Sequence, residues 1–136
     1  MIVGYTTGVF DLFHVGHINL LQSAKALCDT LIVGVNTDEL TEAYKGERPI
    51  IPFAERIEIV RSVRYVDLAI RRDIRDKLAE WRRLKFDIMF VGDDWMGDKK
   101  WKQWEQRLKH FGVKTIYLPY TPQISTSAII KRIRDK

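Results

Sequence analysis

The chain has 136 residues, 46% of them hydrophobic, and a formal net charge of +5. This length accommodates one domain with a hydrophobic core and is too short for two. No segment approaches the roughly 20 apolar residues of a transmembrane helix, and residues 1–5 lack the length and charge of a signal peptide. Because Cys28 is the one cysteine, no internal disulfide is expected, which favours a cytoplasmic location. Since no apolar segment is long enough, membrane insertion is not expected.

The excess positive charge is spread along the chain rather than gathered in one block. Its densest points are residues 71–77 and 82–83, and acidic residues are interleaved with the first of them. Nucleic-acid-binding domains typically carry a clustered basic surface. We therefore do not expect nucleic acid to be the partner of this charge.

The first half of the chain alternates strand and helix patterns. A strand is predicted at residues 2–6, and a helix at 17–28, where leucines recur at helical spacing. Residues 31–36 form a continuous apolar strand, which is typical of a buried parallel sheet. Residues 37–40 begin a short helix or turn, residues 44–52 form a loop, and a helix runs from Pro52 to about residue 63.

The second half continues the alternation. Its predicted elements are a strand at 66–70, a helix at 76–85, a strand at 88–91, a helix at 100–111, a strand at 113–118 and a helix at 126–134. Together the two halves predict a single α/β domain over residues 1–136, with a five-stranded parallel sheet and helices on both faces.

Polar residues follow several of the predicted strands. His14 and His17 follow the first strand, Asp38 the second, Asp94 the fourth and Ser125 the fifth. In open parallel sheets, ligands bind beyond the carboxyl ends of the strands. These residues are therefore expected to converge on one site.

The loop after the first strand, residues 6–17, carries two histidines where the loop becomes a helix. Free backbone amides and the helix dipole attract anions to a helix start. Imidazoles add hydrogen-bond donors, and Gly16 permits a tight turn. This pattern predicts a nucleotide-phosphate site. The alternatives are capping histidines or a metal pair, for which His110 and Cys28 are the only further soft ligands.

This loop resembles the HxGH signature of nucleotidyltransferases. Residues 8–17, 64–67 (Arg-Tyr-Val-Asp), 92–95 (Gly-Asp-Asp-Trp) and 124–127 (Ile-Ser-Thr-Ser) occur in the order typical of cytidylyltransferases. The closest resemblance is to bacterial glycerol-3-phosphate cytidylyltransferases, with the choline- and ethanolamine-phosphate enzymes as relatives. It implies a Rossmann-like homodimer that transfers CMP from CTP, with Mg²⁺, to a small phospho-alcohol such as glycerol 3-phosphate. The acceptor phosphate attacks in line and pyrophosphate leaves, without a dedicated protein metal site.

The resemblance also implies roles for individual residues. The catalytic candidates are His14, His17, Lys45 and Arg64. The nucleotide-binding candidates are Thr7, Gly8, Phe10, Asp11, Gly16, Gly92, Asp94, Trp95, Thr121, Ile124, Ser125 and Thr126. Asp38, Arg56 and Asp67 are expected to support these residues or to meet the acceptor.

Several of these residues have a structural alternative. Asp11 and Ser125 suit capping roles, and Lys45 suits an ordinary exposed position. Arg56 suits an ion pair on its helix, while Asp67 lies in a segment that the family uses at a dimer interface. Trp95 is as well suited to packing as to stacking on a base.

Two segments depart from the family pattern. Tyr120 stands where the family has a phosphate-facing arginine, and Pro122 and Gln123 replace an acidic residue and a glycine. This departure puts nucleotide affinity and identity in doubt. In the other segment, Arg71, Arg72 and Arg75 replace an aromatic part of the acceptor pocket, which suggests a more negatively charged acceptor or a solvated charged turn.

Two other functions stay open at this point. One is an adenylyltransferase acting on a phosphorylated sugar or cofactor precursor, since the HxGH loop does not distinguish ATP from CTP. The Arg-Tyr-Val-Asp and Gly-Asp-Asp-Trp segments favour CTP. The other is a non-catalytic nucleotide-binding module, which the loss of the arginine at Tyr120 would allow.

Overall fold

The computed structural model describes residues 1–122 and 124–136, so Gln123 of the divergent segment lies outside the described residues. The strands are β1 (Val3–Gly8), β2 (Thr30–Asn36), β3 (Leu68–Arg72), β4 (Ile88–Gly92) and β5 (Lys114–Leu118). The helices are α1 (Val15–Lys25), α2 (Asp38–Lys45), α3 (Phe53–Arg61), α4 (Lys77–Leu84), α5 (Lys99–His110) and α6 (Thr126–Arg134), and a 3₁₀ turn spans Asp93–Trp95.

The five strands form one parallel sheet in the order β3-β2-β1-β4-β5. The strand order reverses at β1, which lies between β2 and β4. Sheets of this kind bind ligands in the crevice above such a switch point. The predicted α/β fold is confirmed, and β1 places the histidine loop at the switch point.

Each face of the sheet has its own hydrophobic core. On one face, Leu21 and Ala24 of α1 and Ile57 and Val60 of α3 pack on the strands. On the other face, the core includes Leu108 of α5 and side chains of α4. The prediction of helices on both faces is therefore confirmed. No helix in the described part of the chain has the length and apolar character needed to cross a bilayer.

Several element ends differ from the prediction, among them the end of α1 and the start of β3. α1 stops at Lys25 rather than at residue 28, because the amides of Leu27 and Cys28 bond in turns to Ala24 and Lys25. β3 begins at Leu68 rather than at residue 66, because the amide of Val66 still bonds to the turn that follows α3.

Lys45 lies in a helix and not in the expected loop. It is the last residue of α2, and Gly46 ends that helix with a φ of 84°. A glycine adopts this left-handed conformation without the steric cost that a side chain incurs.

Candidate active site

His14 and His17 form the start of α1 through reciprocal hydrogen bonds. Nδ1 of His14 accepts from the amide of Gly16 at 3.1 Å, and Nδ1 of His17 accepts from the amide of His14 at 3.1 Å. The two rings stack with their centroids 3.9 Å apart. The helix start is thus a capping box in which both partners are histidines.

These contacts assign the tautomers of the two rings. An Nδ1 atom that accepts a hydrogen bond carries no proton, so in the neutral ring Nε2 is the donor. Burial lowers the pKa of His14 below its usual value. Burial and the neighbouring His14 lower the pKa of His17 to about 4. Near pH 7 the pair therefore offers two neutral Nε2–H donors at the positive end of a helix dipole.

Gly16 is required for this arrangement. A Cβ atom at this position would lie 2.8 Å from Cε1 of His14. The third residue of the HxGH segment therefore has to be glycine for the His14 ring to fold back onto its own helix start.

Asp11 holds the loop in place. Its carboxylate accepts from the amides of Ile50 at 2.8 Å and Ile51 at 2.9 Å, and also from the amide of Leu12. Phe10 and Leu12, on either side of it, have positive φ angles of 56° and 46°. Such strained residues persist only where their surroundings fix them. Asp11 therefore shapes the loop from a buried position instead of facing a ligand.

Arg56 is the second anchor of the loop. Its fully buried guanidinium donates to the carbonyls of Val9 at 2.6 Å, Asn36 at 2.9 Å and Ile51 at 2.8 Å. It also donates to Oδ1 of Asp38 at 2.7 Å. Arg56 thus ties the loop after β1 to the end of β2 and to the start of α3.

Asp38 pairs with Arg56 in this anchor. Partial burial raises the pKa of Asp38, but the hydrogen bonds from Arg56 and from the amide of Phe53 outweigh it and lower the pKa below its usual value. Asp38 and Arg56 are therefore supporting residues, as the ion-pair alternative for Arg56 predicts.

The start of α6 lies against the same loop. Oγ1 of Thr126 donates to the carbonyl of Asp11 at 2.8 Å, and Oγ of Ser125 caps the helix by accepting from the amide of Ala128 at 3.0 Å. A Cβ atom on Gly16 would lie 3.4 Å from the Ile124 side chain. Two helix starts, of α1 and α6, are thereby brought to one loop, so the positive ends of two helix dipoles face the same place.

Thr121 is joined to α1 by a residue that sequence reasoning missed. Nδ2 of Asn19 donates to Oγ1 of Thr121 at 2.9 Å. Asn19 is an exposed polar residue on an otherwise apolar helix segment just after His17. That position was the only signal in the sequence that it belongs to the site.

The carboxyl end of β4 carries the Gly-Asp-Asp-Trp segment. A Cβ atom at Gly92 would lie 2.6 Å from Oδ1 of Asp94 and 3.8 Å from the Tyr120 ring. Burial and the adjacent Asp94 carboxylate raise the pKa of Tyr120 to about 12. Tyr120, at the position of the family arginine, is therefore an uncharged phenol next to Asp94. Trp95, the next residue after Asp94, is 41% exposed.

Two predicted residues are not brought to the histidines within one chain. Arg64 and Asp67 precede β3 and lie at the amino ends of the strands. Arg64 donates to the hydroxyl of Tyr65, and Asp67 accepts from the amide of Leu31 and from Lys25. With a rise of about 3.3 Å per residue, a strand as long as β2 separates its two ends by roughly 20 Å. The expectation that Arg64 contacts the phosphates of its own chain is therefore wrong.

The other predicted residues lie at the carboxyl side of the sheet. Thr7 and Gly8 are the last residues of β1, and Phe10 packs against His17 with ring centroids 5.4 Å apart. Lys45 follows β2 at the carboxyl side of the sheet. This edge accordingly gathers groups from β1, β2, β4 and β5.

The sequence matches the family model described as cytidylyltransferase-like over residues 5–132. The chain belongs to the cytidylyltransferase-like family. FAD synthase of Pyrococcus abyssi is 40% identical over 94% of this chain and 89% of its own length. The bifunctional protein HldE of Acidiphilium cryptum is 33% identical over 98% of this chain but 27% of its own length.

Two solved structures have similar folds. A lipopolysaccharide core biosynthesis protein from Thermoplasma volcanium is similar with a TM-score of 0.74 and 30% identity, covering 89% of this chain and 97% of that chain. A pantoate-beta-alanine ligase from Francisella tularensis shares the fold, with a TM-score of 0.64 and 16% identity over 99% of this chain and 72% of that chain. As a cytidylyltransferase-like protein, the chain is a nucleotidyltransferase. A specific closeness to the glycerol-3-phosphate enzymes stays a prediction.

The described residues of this cytidylyltransferase-like site do not form a metal cage. No three His, Cys, Asp or Glu side chains gather in the described ranges. The carboxylates of Asp11 and Asp38 are already occupied by protein donors. A Mg²⁺ ion would accordingly be held mainly by the oxygens of a triphosphate, as is common for this ion.

Proposed function

We propose that this protein transfers CMP from CTP to the phosphate of a small phosphorylated alcohol, with glycerol 3-phosphate as the leading acceptor. The observation that carries the proposal is the pair of neutral histidines at the start of α1, next to the start of α6. This combination of uncharged donors and free helix amides suits the charge that develops around an α-phosphorus during transfer.

The reaction forms one bond and breaks one. An oxygen of the acceptor phosphate attacks the α-phosphorus of the nucleotide, and the bond from that phosphorus to its bridging oxygen breaks, so that pyrophosphate leaves with the electron pair. A phosphomonoester is already an anion at neutral pH, and no general base is needed. Catalysis then comes from alignment and from donors that strengthen as charge builds on the phosphate oxygens.

Different residues are assigned to different phosphates of the nucleotide. The Nε2–H groups of His14 and His17 stabilise the α- and β-phosphates, and the amides at Ser125 and Thr126 receive the terminal phosphates. Lys45 approaches the reacting α-phosphate from the end of α2, on the side where the acceptor phosphate attacks. The oxygens of the triphosphate would hold Mg²⁺, which would supply partial neutralisation of their charge.

The choice of CTP rests on the segment that ends β4. Asp94 and Trp95 follow Gly92 at the crevice and offer a carboxylate and an aromatic face to a nucleoside. Together with residues 64–67 this segment resembles the cytidylyltransferases. Thr7, Gly8 and Phe10 complete the wall on the β1 side.

A second candidate is transfer of AMP from ATP to a phosphorylated cofactor precursor. The observation in its favour is the 40% identity to an FAD synthase over nearly the whole chain. The name of that relative makes FMN the acceptor to test. The histidine loop would serve both nucleotides in the same way.

A homodimer is part of the proposal. Arg64, Tyr65 and Asp67 lie at the amino side of edge strand β3, together with the exposed side chains of Ile59 and Leu68. A second copy would cover this apolar surface. Arg64 would then act at the interface and not on the phosphates of its own chain.

The test is pyrophosphate release with CTP or ATP, each with Mg²⁺ and glycerol 3-phosphate, ethanolamine phosphate, choline phosphate or FMN. Release that needs CTP and glycerol 3-phosphate supports the first candidate, and release that needs ATP and FMN replaces it with the second. His14→Ala should lower kcat by about a hundredfold or more. Equal rates for His14→Ala and the unmodified protein would refute the role of the histidine pair.

A further inference from the structure

A buried polar network runs from the core to the exposed end of α2. The hydroxyl of Tyr5 and Nε of Arg72 both donate to Oε1 of Glu80, at 3.0 and 2.5 Å. The guanidinium of Arg72 also donates to Oδ1 of Asn36 at 3.0 Å, and Nδ2 of Asn36 donates to the hydroxyl of Tyr44 at 3.0 Å. The first four members are at most 5% exposed, whereas Tyr44 is 37% exposed.

This network fixes the position of Tyr44. Asn36 and Arg72 are register partners at the carboxyl ends of β2 and β3. The buried guanidinium of Arg72 has one carboxylate partner and one amide partner. It tolerates little rearrangement, because loss of either partner would leave its charge uncompensated in a low-dielectric interior. The hydrogen bond from Asn36 therefore holds the Tyr44 ring at the carboxyl ends of the strands.

Two cations meet on the Tyr44 ring. Cζ of Arg75, in the loop before α4, lies 4.5 Å from the ring centroid, and Nζ of Lys45 lies 5.9 Å from it. Within the described ranges neither cation has a carboxylate at ion-pair distance. Arg71 and Arg72, by contrast, pair with Asp73 and Glu80. Of the three arginines in this segment, Arg75 is the one left for a ligand.

The positions of Lys45 and Arg75 relative to the sheet indicate which substrate they would contact. The groups assigned to the nucleotide follow β1, β4 and β5, whereas Lys45 follows β2 and Arg75 follows β3, on the opposite side of β1. In-line transfer requires the attacking and leaving oxygens on opposite sides of the α-phosphorus. With pyrophosphate leaving on one side, an anion bound at Tyr44 is on the side of attack.

We propose that Arg75, held on Tyr44 beside Lys45, binds the phosphate of the acceptor and makes the site favour acceptors without a cationic group. This inference rests on the proposed nucleotidyl transfer. The guanidinium supplies paired N–H donors that match phosphate oxygens. The two unneutralised cations repel an ammonium group, so glycerol 3-phosphate is favoured over ethanolamine phosphate. Tyr44 and Asn36 are positioning residues.

The kinetic test compares Arg75→Gln with Arg82→Gln, which removes the same charge from an exposed position on α4. Arg75→Gln should raise the KM of glycerol 3-phosphate by about tenfold or more and leave the nucleotide KM within about twofold, as expected for loss of one charge-assisted contact. It should also lower the preference for glycerol 3-phosphate over ethanolamine phosphate. Arg75→Lys should retain part of the wild-type affinity, and Tyr44→Phe, which keeps the ring, should raise the acceptor KM by a smaller factor. Equal effects of Arg75→Gln and Arg82→Gln would overturn the proposal.

A binding measurement separates this inference from the reaction itself. Inorganic phosphate is titrated into each protein and the heat of binding is recorded. If no nucleotide is turned over but Arg75→Gln binds phosphate more weakly than Arg82→Gln, the anion site stands and the proposed function fails. If turnover is observed and both variants bind phosphate equally, the function stands and the role of Arg75 is refuted.

Discussion

The Nδ1 atoms of His14 and His17 both accept backbone hydrogen bonds, which leaves Nε2 as the donor of each ring. The backbone thereby decides the protonation of two side chains whose unperturbed pKa lies near neutral pH. A proton on either Nδ1 would break the capping box of α1. The two histidines consequently have a structural function at the helix start and a proposed chemical function at their outer edge.

Acidification should destabilise the fold through His17. Its pKa is about 4 in the folded protein and about 6.5 in an unfolded chain. Between these values the unfolded state binds more protons, so the free energy of unfolding rises with pH from about 4 to about 6.5, by at most about 1.4 kcal/mol per pH unit. Urea unfolding of His17→Gln, which keeps an acceptor for the His14 amide, should show a weaker rise.

The control for this prediction is His110→Gln. His110 lies at the end of α5, away from the loop, and its removal should leave the dependence as it is in the unmodified protein. Identical pH profiles for His17→Gln and the unmodified protein would contradict the assignment of His17 as a neutral acceptor.

Tyr120 is predicted to hold Asp94 for the nucleoside. Tyr120→Phe removes the phenol beside the carboxylate and should raise the nucleotide KM by about fivefold, as for one lost hydrogen bond, with little change in kcat. Tyr117→Phe is the matched control, since its hydroxyl faces Glu105 from β5. An unchanged nucleotide KM in Tyr120→Phe would show that Tyr120 has no part in binding.

At the scale of elements, Arg56 joins the loop after β1 to β2 and α3. Arg56→Lys keeps the charge but loses most of the four hydrogen bonds, and should lower the free energy of unfolding by about 3 kcal/mol or more. Arg61→Lys, on the exposed side of the same helix, should change it by less than about 0.5 kcal/mol. Chemical denaturation of both variants measures the difference, and similar losses would refute the anchoring role.

The elements themselves were largely predictable from the sequence. Continuous apolar strands such as β2 and a capping serine at α6 are strong local signals, and both elements occur as expected. The sequence-based prediction misses the helical position of Lys45. Gly46 ends α2 through a local bond to the carbonyl of Glu42, whereas the bond from Asn36 to Tyr44 comes from outside the helix. The burial of Arg56 has no local signal, because it depends on bonds to the carbonyls of Val9 and Asn36, which lie far from it in the chain.

At the scale of the whole molecule, the carboxyl ends and the amino ends of the strands have different proposed roles. The carboxyl edge gathers the histidines, the start of α6 and the Tyr44 cations. The sequence predicted this convergence, because strand order alone places loop residues there. It did not predict the Tyr5–Glu80–Arg72–Asn36 network, since its members are far apart in the chain and carry no common pattern.

The amino edge is predicted to form the dimer. Leu68 is 49% exposed on edge strand β3, three residues after Tyr65. Leu68→Asp would place a charge in the apolar surface and should shift the protein towards the monomer in sedimentation velocity. Ile133→Asp, at an exposed position on α6, should leave the association unchanged. A monomeric unmodified protein would refute the dimer.

The most direct test of nucleotidyl transfer is phosphorus NMR of the products formed from CTP, Mg²⁺ and glycerol 3-phosphate. The account predicts one new pair of diphosphate signals from the CDP-alcohol together with pyrophosphate, and the loss of both in His14→Ala. Formation of CDP and inorganic phosphate would contradict it, because cleavage would then occur at the γ-phosphorus and not at the α-phosphorus beside the histidines.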